Sequence, residues 1–451
     1  MSNIVAVEKV EIDALNAPTQ PFSFRGGFPI INFEIASQNK FLVGSSVRLN
    51  ADIAIKQTGT GLLVNNGDNS TGGARARADG CFNNRIGANA CIKQITISNQ
   101  DNQSLEVVRE YPRYLASVLP TTHSAADLDT GVAQQSLTSS RSLVSAQSQN
   151  EGFSVSMPLR CGLLSGGNPL PLGMNGLRGL HIQLELSPDA QALSGWYDNT
   201  TNLVAVTNPV SYELRNVTLS YDLLVPDEDG QAQMGNATSG ELTYNSVNHT
   251  YSVLNSSDQV VSLNLAARKV LAVHHNFLPT TFINNQARDG NATSYLRNAG
   301  AGAYTAIADL TEVAFTRGGI NFPRENPIRD RTVETGDRPQ TEILTTFINS
   351  IKPYENMNHS LMSLTTQSGL DTRPQLIDNV DVLPATLPDK VEVYGLGVRT
   401  DSFKVGIDYS RTNYGLRVKS TLDGNSPMSL YTFTLAENVL AYSPQGIQVI
   451  N

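Results

Sequence analysis

The sequence predicts an all-β chain folded as two β-sandwiches in tandem. Three observations predict it. Apolar and polar residues alternate with a period of two along most of the chain, the pattern of strands with one buried and one wetter face. Each half closes on a long strand-like segment ending in proline: Tyr212 to Pro226 (YELRNVTLSYDLLVP) and Leu430 to Pro444 (LYTFTLAENVLAYSP). The composition is 40% apolar but only 16% charged, and Asn, Ser, Thr, Gln and Gly make up the balance. That is the composition of strands joined by many turns and polar loops. At 451 residues the chain exceeds one ordinary core, so two domains are expected.

The strands follow in order. Val47, Leu49, Ala51, Ile53 and Ile55 form one apolar face. Phe153, Val155, Met157 and Leu159 form a second, Leu180, Ile182, Leu184 and Leu186 a third, and Val217, Leu219, Tyr221 and Leu223 a fourth. In the second half come Val261, Leu263 and Leu265, then Leu271, Val273, His275 and Phe277. Phe403, Val405, Ile407 and Tyr409 follow, then Leu416 and Val418, then Tyr431, Phe433 and Leu435. Strands do not alternate with regular helices, which excludes a parallel α/β sheet. Short helices are predicted only within Leu105–Ser117, broken or entered near Pro112, and Gln340–Ile351.

Two long loops are predicted, 57–80 and 317–338, and loops of that length carry function or meet partners. The linker is placed at 225–240, where acids, Gly and Ser replace the alternation. The expected division is an amino-terminal arm at 1–27, a first sandwich at 28–226, a linker at 227–242 and a second sandwich at 243–451. The apolar run Ile4 to Leu15 contains acids, which argues against a secretory signal. It is expected to be an ordered arm packed on its own domain, with docking against a neighbour or a membrane surface as the rival reading. No stretch of 18 apolar residues spans a membrane.

No chemistry surfaces. Of the six histidines, His123, His181, His249, His274, His275 and His359, none sits in a metalloprotease helix motif. His274 and His275 adjoin on a predicted strand, so they point to opposite faces and cannot share a metal. Cys81, Cys91 and Cys161 are odd in number and lack paired spacing, which fits a reducing compartment. A serine-hydrolase elbow and a phosphate-binding loop are both missing. Asp227 to Gly230 lacks calcium-loop spacing and is expected to be a solvated turn. Arg75 and Arg77 are expected to be surface charges or intersubunit contacts. Paired carboxylates for glycoside hydrolysis need no motif, but a single Trp, Trp196, is poor provision for sugar stacking. Nine Asn-x-Ser/Thr triplets (Asn69, Asn102, Asn199, Asn216, Asn236, Asn248, Asn255, Asn291 and Asn358) carry little weight in so Asn-rich a chain. The net charge is −9, and residues 1–27 hold only Lys9 and Arg25 against Glu8, Glu11 and Asp13. A basic arm to neutralise phosphates is therefore lacking.

Two stretches carry a family likeness. Ile86 to Gly131 (IGANACIKQITISNQDNQSLEVVREYPRYLASVLPTTHSAADLDTG) resembles the middle of the first barrel of double jelly-roll major capsid proteins, most of all those of polinton-like viruses and virophages. There a strand with a polar tip, here Ile95 to Asn99, leads into a Leu-Glu pair, Leu105-Glu106, and a helical excursion with tyrosines, Tyr111 and Tyr114. Met157 to Leu193 (MPLRCGLLSGGNPLPLGMNGLRGLHIQLELSPDAQAL) resembles the passage that follows, and Phe28 to Ile55 the first two strands. The second half is similar mainly in strand order and length.

The resemblance implies two jelly-roll sandwiches side by side and a structural, non-enzymatic role as the major protein of an icosahedral virion shell. Three two-barrel chains would give six barrels in a ring, a pseudo-hexameric capsomer with threefold symmetry. Implied partners are the chain itself as a homotrimer, neighbouring trimers, and penton and minor capsid proteins, with an internal membrane left open. Catalytic, cofactor-binding and metal-binding residues are not assigned, and sequence-specific nucleic-acid binding is not expected. The rivals are a tandem-sandwich carbohydrate-binding adhesin or fibre, marked by a secretion signal or exposed aromatics, and a glycoside hydrolase, marked by an aromatic cleft with facing carboxylates.

Overall fold

The computed structural model describes residues 4–16, 21–58, 82, 86–122, 153–165, 169–174, 177–193, 209–236, 239–286, 291, 310–329, 341–354, 396–401, 406–420, 427–443 and 446–450. In chain order the first half holds β1 (Ile4–Asp13), β2 (Ile30–Ala36), β3 (Phe41–Gln57), β4 (Ile92–Asn99), β5 (Ser104–Arg109), α1 (Tyr111–Thr122) and β6 (Phe153–Pro158). It continues with α2 (Gly162–Ser165), β7 (Leu170–Pro171), β8 (Gly179–Leu186), α3 (Asp189–Ala192) and β9 (Val210–Pro226). The second half holds α4 (Glu228–Asn236), β10 (Gly240–Leu254), β11 (Asp258–Leu263), β12 (Val270–Pro279), β13 (Leu310–Arg317), β14 (Ile320–Asn321) and β15 (Ile328–Arg329). It ends with α5 (Thr341–Ile351), β16 (Leu396–Arg399), β17 (Tyr414–Ser420), β18 (Met428–Ser443) and β19 (Gly446–Ile450).

The strands pair antiparallel in four sheets, and the two halves use one topology. The first half has sheets in the order β1-β9-β3-β6 and β2-β8-β4-β5; the second has β10-β18-β12-β16 and β11-β17-β13-β14, with β15 also on β13. With β7, β15 and the terminal β19 (which pairs with β18) set aside, each half has eight strands and joins its first strand to its last, the last to the third and the third to the sixth. The partner sheet runs second, seventh, fourth, fifth. That order, in two facing sheets, is the jelly roll. The inward residues are the alternating sets of the sequence: Leu49, Ala51 and Ile53 on β3, Leu180 to Leu186 on β8, and Leu219, Tyr221 and Leu223 on β9 are buried.

Several expectations change. Ile4–Asp13 is ordered and packed on its own sandwich, as expected, but it is part of the sheet and not a separate arm. It is edge strand β1, paired along β9 from Ile4 opposite Pro226 to Asp13 opposite Thr218. Val10 and Ile12 pack on the core while Lys9, Glu11 and Asp13 point out, so the acids in the apolar run are its outward set. Phe28–Ile55 therefore contains the second and third strands, not the first two. The expected helix over Leu105–Ser117 is half strand. LEVVR is β5, Glu110 turns the chain at φ 51°, and α1 starts at Tyr111. Pro112 falls in the first helical turn, where its missing N–H costs nothing. Asp227–Gly230 is a helix start rather than a solvated turn: the Asp227 Oδ1 atom accepts the Gly230 N–H at 2.8 Å and caps α4. Of the strand expected over Phe403–Tyr409, residues 403–405 lie outside the described set, and Ile407 makes only an isolated bridge to Val270. The loop expected over 317–338 contains β14 and β15 in its described part, while most of the loop over 57–80 lies outside it. The helix within Gln340–Ile351 is α5, beginning at Thr341.

The two cores are not separate. One cluster fills the first sandwich and continues into the second half through Tyr244, Val247, Ala272, Phe347, Ile351, Tyr354, Tyr431, Phe433 and Leu435. The other, with Phe277, Phe315, Tyr414, Leu416 and Leu430, fills the second sandwich. Val247 of β10 and those from β12 and β18 lie on the outer face of sheet β10-β18-β12-β16, and Phe347, Ile351 and Tyr354 of α5 and its end pack over it, so that sheet is buried on both sides.

Candidate functional site: the seam between the sandwiches

The described residue sets with buried polar and aromatic side chains from both halves meet at this seam. Helix α1 places Arg113, Tyr114 and Ser117 against the outer face of the second sandwich. There β10, β18 and β12 present His249, Phe433 and His274 in one cross-strand row, since His249 and His274 both stand opposite Phe433. The Tyr114 ring centroid lies 6.0 Å from Phe433, 6.5 Å from His274 and 5.7 Å from Tyr354 at the end of α5. His274 stacks on Phe433 at 5.1 Å, and its Nδ1 atom is 3.0 Å from the Tyr354 hydroxyl. The Arg113 guanidinium sits 4.1 Å above the Tyr431 ring and is paired with Glu110 at 3.0 Å. A stacked cation of this kind contributes about 0.5–2 kcal/mol, more as water is excluded. Beneath it, Asn276 donates from Nδ2 to the Arg113 carbonyl at 2.7 Å and accepts at Oδ1 from the Ser117 hydroxyl.

Beside this aromatic patch, β5 lies against β10. The Tyr244 hydroxyl donates to the Leu105 carbonyl at 2.6 Å. Glu106 is buried and accepts from the Gly162 and Leu163 N–H groups at 2.9 and 2.7 Å, and Val247 of the second sandwich also bonds to it. Burial raises its carboxyl to about 7 despite these donors. A Cβ on Gly162 would stand 1.4 Å from the Asn245 carbonyl oxygen, so only glycine permits this approach of α2 to β10. A third contact lies at the start of β9. The Gln286 side-chain amide accepts from the Val210 N–H at 3.1 Å and donates to its carbonyl at 2.6 Å, as a neighbouring strand would. Asn284 and Asn291 reach Gln191 nearby.

The histidines singled out in the sequence are structural where they are described. His275 points inward, held by Thr432 at Nδ1 and Tyr414 at Nε2, both at 2.8 Å, while His274 points to the seam. The opposite-face expectation is met. Burial lowers His249 to about 4 and both His274 and His275 to about 3, so all are neutral near pH 7. His181 is half-buried, 3.9 Å from Glu34. His123, His359, Cys81, Trp196, Arg75, Arg77, Arg331 and Arg338 lie outside the described residues. Cys91 and Cys161 are buried free thiols. Among the described residues, three or more His, Cys, Asp or Glu never gather in a group able to hold a metal, and no helix is long and apolar enough to cross a membrane.

Sequence reasoning missed Arg113, Gly162 and Asn276, and it singled out Glu106 in the Leu-Glu pair without giving it a role. Their signal was present in β18. In LYTFTLA one face is Tyr431, Phe433 and Leu435 and the other is uncharged, running Leu430, Thr432, Thr434 and Ala436, which fits a strand buried on two sides, whereas β9 alternates along most of its length.

No protein-family model and no curated protein sequence matches the chain. Solved structures do. A PBCV-1 virus capsid matches with a TM-score of 0.59 at 10% identity, over 100% of this chain and 97% of that one. The Faustovirus major capsid protein matches at 0.56 and 10% identity, over 98% and 91%. A structure of the Sputnik virophage matches at 0.56 and 10% identity, over 100% and 89%. Across its full length the chain has the double jelly-roll fold of these capsid structures.

Proposed function

We propose that the protein is the major capsid protein of an icosahedral virion, assembled as trimeric, pseudo-hexameric capsomers. The observation that carries this reading is the buried seam, which fuses two sandwiches of identical strand order into one two-sandwich unit. Such a unit supplies two near-equivalent positions of a six-sided ring, and three copies close it. The capsid proteins that share the fold across the whole chain support the same reading. The role is structural, with no enzymatic activity. The division falls at α4, with one sandwich before it and one after it. Penton and minor capsid proteins are the further partners, and the virion is its location. Genome enclosure works by confinement inside the shell, or through other basic virion proteins or a membrane, because the net charge of −9 opposes phosphate contact. Native mass spectrometry of the purified chain tests the assembly: trimers are expected at micromolar concentration, and a stable monomer that never forms particles contradicts it. A gel-shift assay at about 150 mM salt tests the charge argument, with submicromolar DNA binding as the contrary result.

A further inference from the structure

The two sandwiches differ at the end where the first strand meets the finish of the closing strand. In the second sandwich this end is β10 on β18, from Gly240 opposite Tyr442, extended by β19. The first sandwich covers it. Leu440 and Ile447 are 3% and 5% exposed, and Leu242, Tyr442 and Val449 pack on the cluster that fills the first sandwich. Part of the cover is the turn between β4 and β5, where Gln103 donates from Nε2 to the Ile447 carbonyl.

In the first sandwich the same end is β1 on β9, from Ile4 opposite Pro226. Here Ile4, Val5 and Val7 are 46%, 69% and 58% exposed, and Leu224 and Val225 beside them are half-buried. An edge strand that opens with four consecutive apolar residues is a template for association. In the second sandwich the counterpart of the β4–β5 turn is the β13–β14 turn, made tight by Gly318 and Gly319 at positive φ. It carries Ile320, at 75% the most exposed large apolar side chain among the described residues. The charges nearest in sequence to the two surfaces have partners within the chain: Glu8 is paired with Lys40, and Arg317 donates to the Asp408 carbonyl.

We propose that the β13–β14 turn, led by Ile320, packs on Ile4, Val5 and Val7 of the next copy, as the β4–β5 turn packs on the end of β18 and β19 within one chain. This rests on the trimer reading and adds the surface, the partner element and the chemistry. A contact handed from each sandwich to the next closes a ring. Being apolar, it persists in salt that screens ionic contacts.

The test uses the full chain. Val5→Asp/Val7→Asp and Ile320→Asp chains place charge at exposed positions, and thermal unfolding confirms that each folds. Sedimentation should show trimer affinity lowered by about tenfold or more in each, at low and high salt alike. A further chain carries Val7→Cys and Ile320→Cys. Treated with diamide, which takes up the two thiol hydrogens as the S–S bond forms, it should give covalent dimers and trimers, and chains with only one of these changes should not. Undiminished assembly of the aspartate chains, or trimers in which the paired cysteines do not cross-link, overturns the contact and leaves the trimer reading standing. Aspartate chains that assemble like the parent but lose its binding to phosphatidylglycerol vesicles assign the strip to a membrane surface and overturn the contact too. A parent that stays monomeric overturns both readings.

Discussion

The outer faces of two equivalent sheets have been put to opposite uses. In the first sandwich the outer face of β1-β9-β3-β6 is a polar mesh. Arg48 donates to the Ser156 hydroxyl at 2.9 Å, and that hydroxyl donates to Asn50 at 2.7 Å. Lys56 and Arg215 both hold Glu213, at 2.7 and 3.0 Å, and Asn216 donates to Asp52 at 2.7 Å. In the second sandwich the outer face of β10-β18-β12-β16 carries Val247, Tyr431, Phe433, Leu435 and His274, all buried. Counting back eleven residues from each closing proline reaches Arg215 in one strand and Phe433 in the other. One backbone topology thus serves with a solvent-facing sheet or a doubly buried one, and the choice is written in alternate residues of a single strand.

The comparison predicts a ladder of effects. The largest belongs to Gly162. Replacing it with valine drives a side chain into the Asn245 carbonyl, and the expected outcome is failure to fold or a loss above about 3 kcal/mol. Urea denaturation measures it, and a near-neutral result would break the claim that α2 and β10 are in fixed contact. Next come the two equivalent outward positions. Phe433→Ala is expected to cost about 3–5 kcal/mol, and Arg215→Ala no more than about 1 kcal/mol. Equal costs would show that the two faces do not differ energetically.

The seam, with His275 on the inner face of the same sheet, also sets the pH response. His249, His274 and His275 have folded pKa values below the ordinary 6.5. Their contribution is present above pH 6.5 and is lost as pH falls towards 4 and then 3. Glu106 acts the other way: with its pKa raised to about 7, its contribution is full below 4.5 and is lost as pH rises through 7. The denaturation midpoint should therefore fall on acidification from pH 6.5 to 4. His274→Phe should flatten that slope, and Glu106→Gln should flatten the loss between 4.5 and 7. A His274→Phe chain with the parent's acid slope would contradict the assignment. The smallest effect is Lys56→Ala on the polar face, expected below about 1 kcal/mol and diminished by salt.

Much of the fold was legible in the sequence. Strands with one wet face announce themselves by alternation, as β3, β8 and β9 did. The failures share one physical cause, in that contacts between distant segments outweighed local pattern. LEVVR followed by a tyrosine-rich helix looked like one helical stretch, yet β5 pairs with β4 because Val108 and Leu105 fill the core. The acids of β1 masked a strand because its outward set is charged. The seam was the least legible part. Gly162 and Glu106 sit 56 residues apart, and nothing local tells that Asn245 comes to rest on that glycine. Only the broken alternation of β18 hinted that a second surface covers it.

The central claim is that this seam makes one unit of two jelly rolls and that the unit tiles a shell. Electron microscopy of the purified protein tests it most directly. Class averages should show particles of hexagonal outline and threefold symmetry, or closed shells built from them. Images showing only single two-lobed molecules, at concentrations up to the micromolar range and across salt conditions, would contradict it.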